Sequence, residues 1–303
     1  MRVAMIWTPP VDKVLLKHFG QYSSILLRAK GGYKAVYKVS DDKKTEALKL
    51  IQIPPTSLVE ENESLQKELM GRIKRELETL KKCACPELVK LGSLALVELK
   101  IDGQLYLAYS EEFLDGKNLW DLWRNDPTTP SEQELKILFG VLLRAIRKLW
   151  QNGYVHRDIK PSNIIKLNSR QRPFVLLDMG IAYSINDTAL TADARCIPAT
   201  LRYIAPEMIR PNFRENIDYR SDLYTAALSV YEYGAKAHPF AIDAEDAIQT
   251  MSRALNDEPK PFVQVRPDIS AEFCQLIDQM LKKTPALRPA NLNSLIRQME
   301  ESV

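Results

Sequence analysis

Residues 154–163 constrain this chain more than any other stretch. They read Tyr-Val-His-Arg-Asp-Ile-Lys-Pro-Ser-Asn and set Asp158, Lys160 and Asn163 within six residues. An acid, a cation and an amide held that close suit phosphoryl transfer, a reaction governed by positioning and charge stabilisation. Asp158 can accept the proton of an attacking hydroxyl. Lys160 can neutralise charge on the transferred group, and Asn163 can hold a metal ion through its oxygen. A polar turn after a helix is the plainer reading of the same residues. Upstream, Ser131-x-x-Glu134 is a capping box that starts a helix running to Gly153. The fold must therefore present this loop at a helix end.

The bulk of the chain bounds the alternatives. Its 303 residues can form one large domain or two modest lobes. With 45% hydrophobic and 27% charged residues it is globular. A net charge of +3 is too small to call for a nucleic-acid or membrane partner. Cys83, Cys85, Cys196 and Cys274 lack metal-ligand spacing and read as free thiols of a reducing compartment. No apolar run reaches the roughly 18–20 residues that cross a bilayer. The first seven residues lack the apolar core and cleavage site of a signal peptide. A cytoplasmic protein is expected.

His156-Arg157-Asp158 followed by Asn163 resembles the catalytic loop of protein kinases. Further motifs of that family follow in order from Gly31 to Arg288. Residues 29–36, Ala-Lys-Gly-Gly-Tyr-Lys-Ala-Val, stand where its glycine-rich loop would be, with Gly31 kept and Ala29 and Lys34 replacing the outer glycines. An ordinary hairpin, two strands over 24–39 around a turn at Gly31-Gly32, explains this segment equally well. Glu46-Ala47-Leu48-Lys49-Leu50 resembles the strand whose lysine binds the α- and β-phosphates. Leu65, Leu69, Ile73, Leu77 and Leu80 mark a long amphipathic helix. Glu76 lies beside that stripe as a partner for Lys49; Glu68 is its rival, and pairing with Arg72 on a wet face is the bland alternative for Glu76. Residues 95–98 and 104–110 alternate like strands around a tight turn at Asp102-Gly103. Residues 112–116 resemble the hinge, with backbone groups of Glu112 and Leu114 facing adenine. This places Glu111 at the position guarding the back pocket, which is usually apolar.

Phe174-Val175-Leu176-Leu177-Asp178-Met179-Gly180 resembles the family's D-F-G strand, with Met179 in place of phenylalanine. Residues 199–207 resemble the substrate-docking loop and its A-P-E end, with Thr200 near the catalytic pair. Ser221-Asp222-Leu223-Tyr224 resembles the start of the large lobe's central helix, whose Asp222 would hold the backbone of the His156-Arg157 turn, and Arg288 would pair with Glu207.

The resemblance implies an α+β, bilobal protein-kinase-like fold. The N-lobe is β-rich with one long helix and the C-lobe is mainly helical, with nucleotide between them. One kinase domain would span 1–303: an N-terminal extension (1–20), N-lobe (21–111), hinge (112–116) and C-lobe (117–303). It implies ATP, with Mg²⁺ or Mn²⁺ on Asn163 and Asp178, and transfer to serine or threonine hydroxyls of protein substrates. Lys160 favours that class over tyrosine kinases. Catalysis would fall to Asp158, Lys160, Asn163, Lys49, Glu76 and Thr200. Nucleotide would meet Ala29, Gly31, Val36, Ala47, Lys49, Glu112, Leu114, Ile165 and Asp178. Ser184, Thr188 and Thr191 are candidate phosphorylation sites, and Arg157 a candidate partner for the added phosphate. A regulatory partner is not readable. Two further readings stand beside this one: a pseudokinase that binds nucleotide without turnover, and a small-molecule kinase.

Overall fold

The computed structural model describes residues 7–53, 60–179, 183–184, 201–209, 217–242 and 246–302. The chain separates into two compact units. The first comprises Met1–Leu77 and Val89–Leu114, the second Glu78–Leu88 and Asp115–Val303.

The first unit is built on an antiparallel sheet of order β1-β2-β3-β5-β4. Its strands are β1 (Ser24–Gly31), β2 (Lys34–Ser40), β3 (Thr45–Gln52), β4 (Val97–Ile101) and β5 (Gln104–Glu112). Helix α1 (Asp12–His18) precedes the sheet, and α2 (Glu60–Lys82) follows β3. Both faces are covered. Leu15, Phe19 and Tyr22 pack with Tyr37, Val39, Leu48, Leu50 and Ala108 on one face. On the other, Ile73 of α2, flanked by Leu69 and Leu77, packs with Ile51, Leu107 and Tyr109. Residues 48–51 are buried without a break, as expected of a strand covered on both faces.

Two expectations shift here. The strand expected at 95–98 begins at Val97 and runs to Ile101. Asp102 and Gly103 both have positive φ, 48° and 80°, the tight turn that suits a right-twisted hairpin. That turn pairs Ile101 with Gln104 and thereby fixes the register of the whole pair. In the first hairpin Gly31 pairs with Lys34, so the turn lies at Gly32-Tyr33 rather than Gly31-Gly32. Gly32 takes φ 48°, a conformation that favours glycine.

The second unit is organised by two buried helices, α4 (Glu132–Gln151) and α5 (Tyr219–Ala235), after a short α3 (Leu119–Asn125). Ser131 caps α4 by accepting from the Glu134 N–H at 3.2 Å. The reciprocal arm of a capping box is replaced: the Glu134 carboxylate takes Lys166 at 2.6 Å and the Tyr233 hydroxyl at 2.7 Å. The helix stops at Gln151, two residues short of Gly153, whose φ of 79° turns the chain out of the helix. Helix α5 is buried from Ser221 to Gly234, so it has no polar stripe. A Cβ on Gly234 would lie 2.8 Å from the Phe262 ring and 3.0 Å from Leu135, so this close packing needs glycine.

Helices α6 (Ala247–Asn256), α7 (Phe262–Val265), α8 (Ala271–Met280) and α9 (Leu292–Glu301) complete the unit. Strands β6 (Gly116–Asn118), β8 (Ile164–Leu167) and β9 (Phe174–Leu176) form a small sheet. Strand β7 (Tyr154–Val155) pairs with β10 (Tyr183–Ser184). Among the described residues no helix is long and apolar enough to cross a membrane.

Candidate active site

In the first unit, cross-strand pairing sets one face of the sheet. Val36 pairs with Lys49 and Lys38 with Ala47; Lys49 pairs in turn with Tyr109 and Ala47 with Glu111. Ala29, opposite Val36, follows a bulge in β1. Ala29 and Gly31 are exposed, while Val36 and Ala47 are half-buried. Alternation along β3 sends Lys49 to the same side as Ala47.

The Lys49 ammonium donates to Glu76 Oε1 at 2.7 Å and to Glu111 Oε1 at 2.5 Å. Glu76 is buried and so does not lie on a wet face. The second carboxylate was not legible in the sequence, because the role of Glu111 depends on the register of β5 against β3. Burial, the largest influence, lifts the Glu111 carboxyl above the usual range; Lys49 opposes the rise and Glu76 adds to it. The Glu112 N–H donates to the Lys90 carbonyl at 2.9 Å. It is therefore engaged within the unit and is not the group to meet a ligand. Glu112 also remains in β5, so the strand reaches into the segment expected to be hinge. Leu114 is half-buried.

The other face carries a polar anchor that sequence reasoning missed. Glu46 is 6% exposed. It accepts from Tyr22 Oη at 3.2 Å, Ser110 Oγ at 2.7 Å, and Ser93 N and Oγ at 2.9 Å each. Lys44 adds an ion pair at 3.0 Å. Burial works against the charge, but these donors prevail and hold the carboxyl down to about 2. The only sequence signal is an acid at an inward position of an alternating strand.

In the second unit, the loop after β7 is built from its own backbone upward. The Asp222 carboxylate accepts from the N–H groups of His156 at 2.7 Å and Arg157 at 2.9 Å. Arg157 sits at φ 68°, in the left-handed region. Burial pushes the Asp222 carboxyl up to about 7 against those two bonds. His156 Nδ1 accepts from the Asp158 N–H at 3.2 Å. Its proton therefore lies on Nε2, which reaches the Leu177 carbonyl at 3.2 Å. Leu177 N in turn donates to Asn163 O at 2.8 Å. One histidine thus ties the loop to the strand that leads to Asp178.

Within this frame Lys160 Nζ lies 2.8 Å from each Asp158 carboxylate oxygen. Asn163 Nδ2 donates to the Asp158 carbonyl and to Oδ2, both at 2.9 Å. The amide is thereby oriented, and its Oδ1 is the atom that can serve as a donor to a cation. Burial raises the Asp158 carboxyl; Lys160 and Asn163 oppose this and the charge of Asp178 adds to it. Asp178 is half-buried with φ 64°. Ile165, half-buried in β8, pairs with Asn118 and Val175. Met179 is wholly buried and fills a core position, as a flexible apolar side chain can.

The framework below is tied by Arg288, 2% exposed, whose guanidinium grips both Glu207 oxygens at 2.7 and 2.9 Å. Tyr203 donates to Glu232 at 2.5 Å, and its ring meets His238 edge-on with centroids 5.5 Å apart. Burial lifts Glu232 to about 7 and depresses His238 to about 4. Ser184 ends β10 opposite Tyr154. Thr188, Thr191 and Thr200 lie outside the described residues.

The family described as protein kinase domain matches residues 29–299. Serine/threonine-protein kinase pkn3 of Myxococcus xanthus is 27% identical over 97% of this chain and 52% of its own length. PknB of Mycobacterium leprae is 27% identical over 72% of this chain and 33% of its own length. The chain thus spans about half or less of the length of these curated relatives. The PknI kinase domain of Mycobacterium tuberculosis superposes with a TM-score of 0.62 at 20% identity, covering 93% of this chain and 95% of its own. That likeness shows a shared fold, and the family match extends it to descent: the chain belongs to the protein kinase domain family.

Proposed function

We propose that the chain is an ATP-dependent protein serine/threonine kinase. The arrangement of Asp158, Lys160 and Asn163 carries this reading. Asp158 is held by an amide and a lysine so that its carboxylate can take the proton of an incoming hydroxyl. Lys160 already sits at that carboxylate and can balance charge on the γ-phosphoryl group as it transfers. Lys49, fixed by Glu76, would hold the α- and β-phosphates. Ala29, Gly31, Val36, Ala47 and Ile165 would enclose the nucleotide, with the Glu112 carbonyl and Leu114 backbone meeting adenine. Thr200 would contact the catalytic pair. Asn163 Oδ1 and the Asp178 carboxylate are hard oxygen donors that suit Mg²⁺ or Mn²⁺, which take their remaining ligands from phosphate and water. The ion supplies charge neutralisation at the phosphates when bound.

The same reading assigns 1–20 as an extension, 21–111 and 117–303 as lobes and 112–116 as hinge. Protein substrates are the proposed partners, without nucleic acid. The free thiols of Cys83, Cys85 and Cys274 support a reducing, cytoplasmic setting. Ser184, Thr188 and Thr191 remain the proposed sites of self-modification.

The test is incubation of the purified chain with γ-labelled ATP, Mg²⁺ and casein, followed by hydrolysis to phosphoamino acids. Label on phosphoserine or phosphothreonine is the expected result. Nucleotide binding without label on any protein would overturn the kinase reading in favour of a binding scaffold.

A further inference from the structure

The cluster at Lys49 holds one carboxylate more than an ion pair needs. Lys49 and Glu76 are each 5% exposed and Glu111 is 3% exposed. One ammonium is thus shared by two buried carboxylates, 2.7 and 2.5 Å away. With both ionised, the trio carries a net negative charge in a desolvated place, which is costly. Among the described residues of the first unit, flanking groups come from β2, β5 and α2. Lys34 and Lys38 lie on the same face of β2. The Tyr109 ring is 5.4 Å from the ammonium. Arg72 stands one turn before Glu76 on α2. Lys34 acts on Glu111 only as a lesser influence than Lys49 and Glu76. Strand pairing of Glu111 with Ala47 fixes where its backbone delivers the carboxylate.

We propose that Glu111 is a positioning residue that competes with nucleotide phosphates for the Lys49 ammonium, so that nucleotide binding is coupled to uptake of a proton by the Glu111 carboxylate. The inference rests on the reading above that Lys49 holds phosphates. When a phosphate oxygen takes the donor now aimed at Glu111, the ammonium keeps Glu76. Glu111 then faces a second anion with its cation withdrawn. Its carboxylate accepts one proton from solvent and becomes a neutral acid, with no other bond changed. The elevated proton affinity of this buried carboxyl points the same way. A chain with an apolar side chain at this position would show no such coupling.

The test is calorimetric titration of Mg²⁺·ATP into the whole chain at pH 6.5 and 8.5. Each titration is run in two buffers of different ionisation enthalpy, for the wild type and Glu111→Gln. The wild type should take up protons at the higher pH, and its dissociation constant should rise with pH. The variant should show neither effect beyond that of the ligand itself. At pH 8.5 it should bind at least about fivefold tighter, the worth of exchanging a charged for a neutral hydrogen-bond partner. In turnover the gain should fall on KM for ATP rather than on kcat. A merely structural role would move neither proton uptake nor that split. If the variant fails to fold, the wild-type buffer pair still decides, since absence of proton uptake overturns the proposal. Equal affinity and equal uptake in both proteins would overturn it while leaving nucleotide binding intact. Binding by the variant alone would support the competition in its extreme form. No binding by either protein would overturn the nucleotide reading and this proposal with it.

Discussion

Asp158 is set by groups of its own loop: the Lys160 ammonium at both oxygens, the Asn163 amide at one, and His156 behind its N–H. The arrangement separates two roles. Asn163 orients the carboxylate, while in the proposed reaction Lys160 would pass from carboxylate to phosphoryl oxygen. Lys160→Ala should therefore lower kcat by about 10²–10³, the scale for losing one preorganised charge-stabilising group. It should leave the affinity for ATP nearly unchanged. Steady-state kinetics with varied ATP check this; a change confined to KM would instead place Lys160 in nucleotide binding. The loop residues were legible because their types and spacing sit within a few positions of one another. Glu76 was legible as a partner for Lys49 because it lies beside the apolar stripe of α2, which left Glu68 open as a rival. Glu111 and Glu46 were not. Their roles depend on which residue of β5 lies opposite which residue of β3, and on Tyr22, Ser93 and Ser110, which are distant in sequence.

At the scale of elements, β5 runs farther and β4 starts later than alternation alone suggests, since turn geometry at Asp102-Gly103 settles the register. Helix α5 shows no amphipathic signal because it is buried all round, so its existence was legible chiefly through the Ser221-Asp222 start. Its inner face supplies Glu232, the partner of Tyr203, beside buried His238. His238 accepts from the N–H groups of Phe240 and Ala241 at 3.2 and 3.1 Å, which the neutral ring allows. Its folded value, about 4, lies below the ordinary 6.5. Its contribution to stability is thus complete above pH 6.5 and is lost as pH falls from there through about 4. The loss amounts to roughly 3 kcal/mol at most. Glu232 acts in the opposite sense. Its value, raised from 4.5 to about 7, gives a contribution that is complete below pH 4.5 and lost as pH rises through about 7. The two slopes oppose each other, so the test is a comparison. Urea unfolding of the wild type and His238→Asn at pH 5 and pH 7 should show the wild type losing more stability on the acid side. Equal losses in both proteins would rule out His238 as the source.

At the scale of the whole molecule, Lys49 and Glu76 belong to one unit and Asp158, Asn163 and Asp178 to the other. Each set is fixed by its own unit before any ligand is considered. The first is held through the strand pairings of β3 and the packing of α2, the second through Asp222 and His156. The framework pair Glu207–Arg288 belongs to architecture, since a buried ion pair adds little net stability yet is costly to break. The central claim is that Asp158 is the proton acceptor in a transfer to protein hydroxyls. The direct measurement is single-turnover transfer of labelled γ-phosphate from Mg²⁺·ATP to casein, by the wild type and by Asp158→Asn at matched nucleotide occupancy. The account predicts labelled substrate with the wild type and a rate lower by about 10²–10⁴ in the variant, the range for removing a general base. Transfer at the wild-type rate by a folded, nucleotide-saturated Asp158→Asn protein would contradict it.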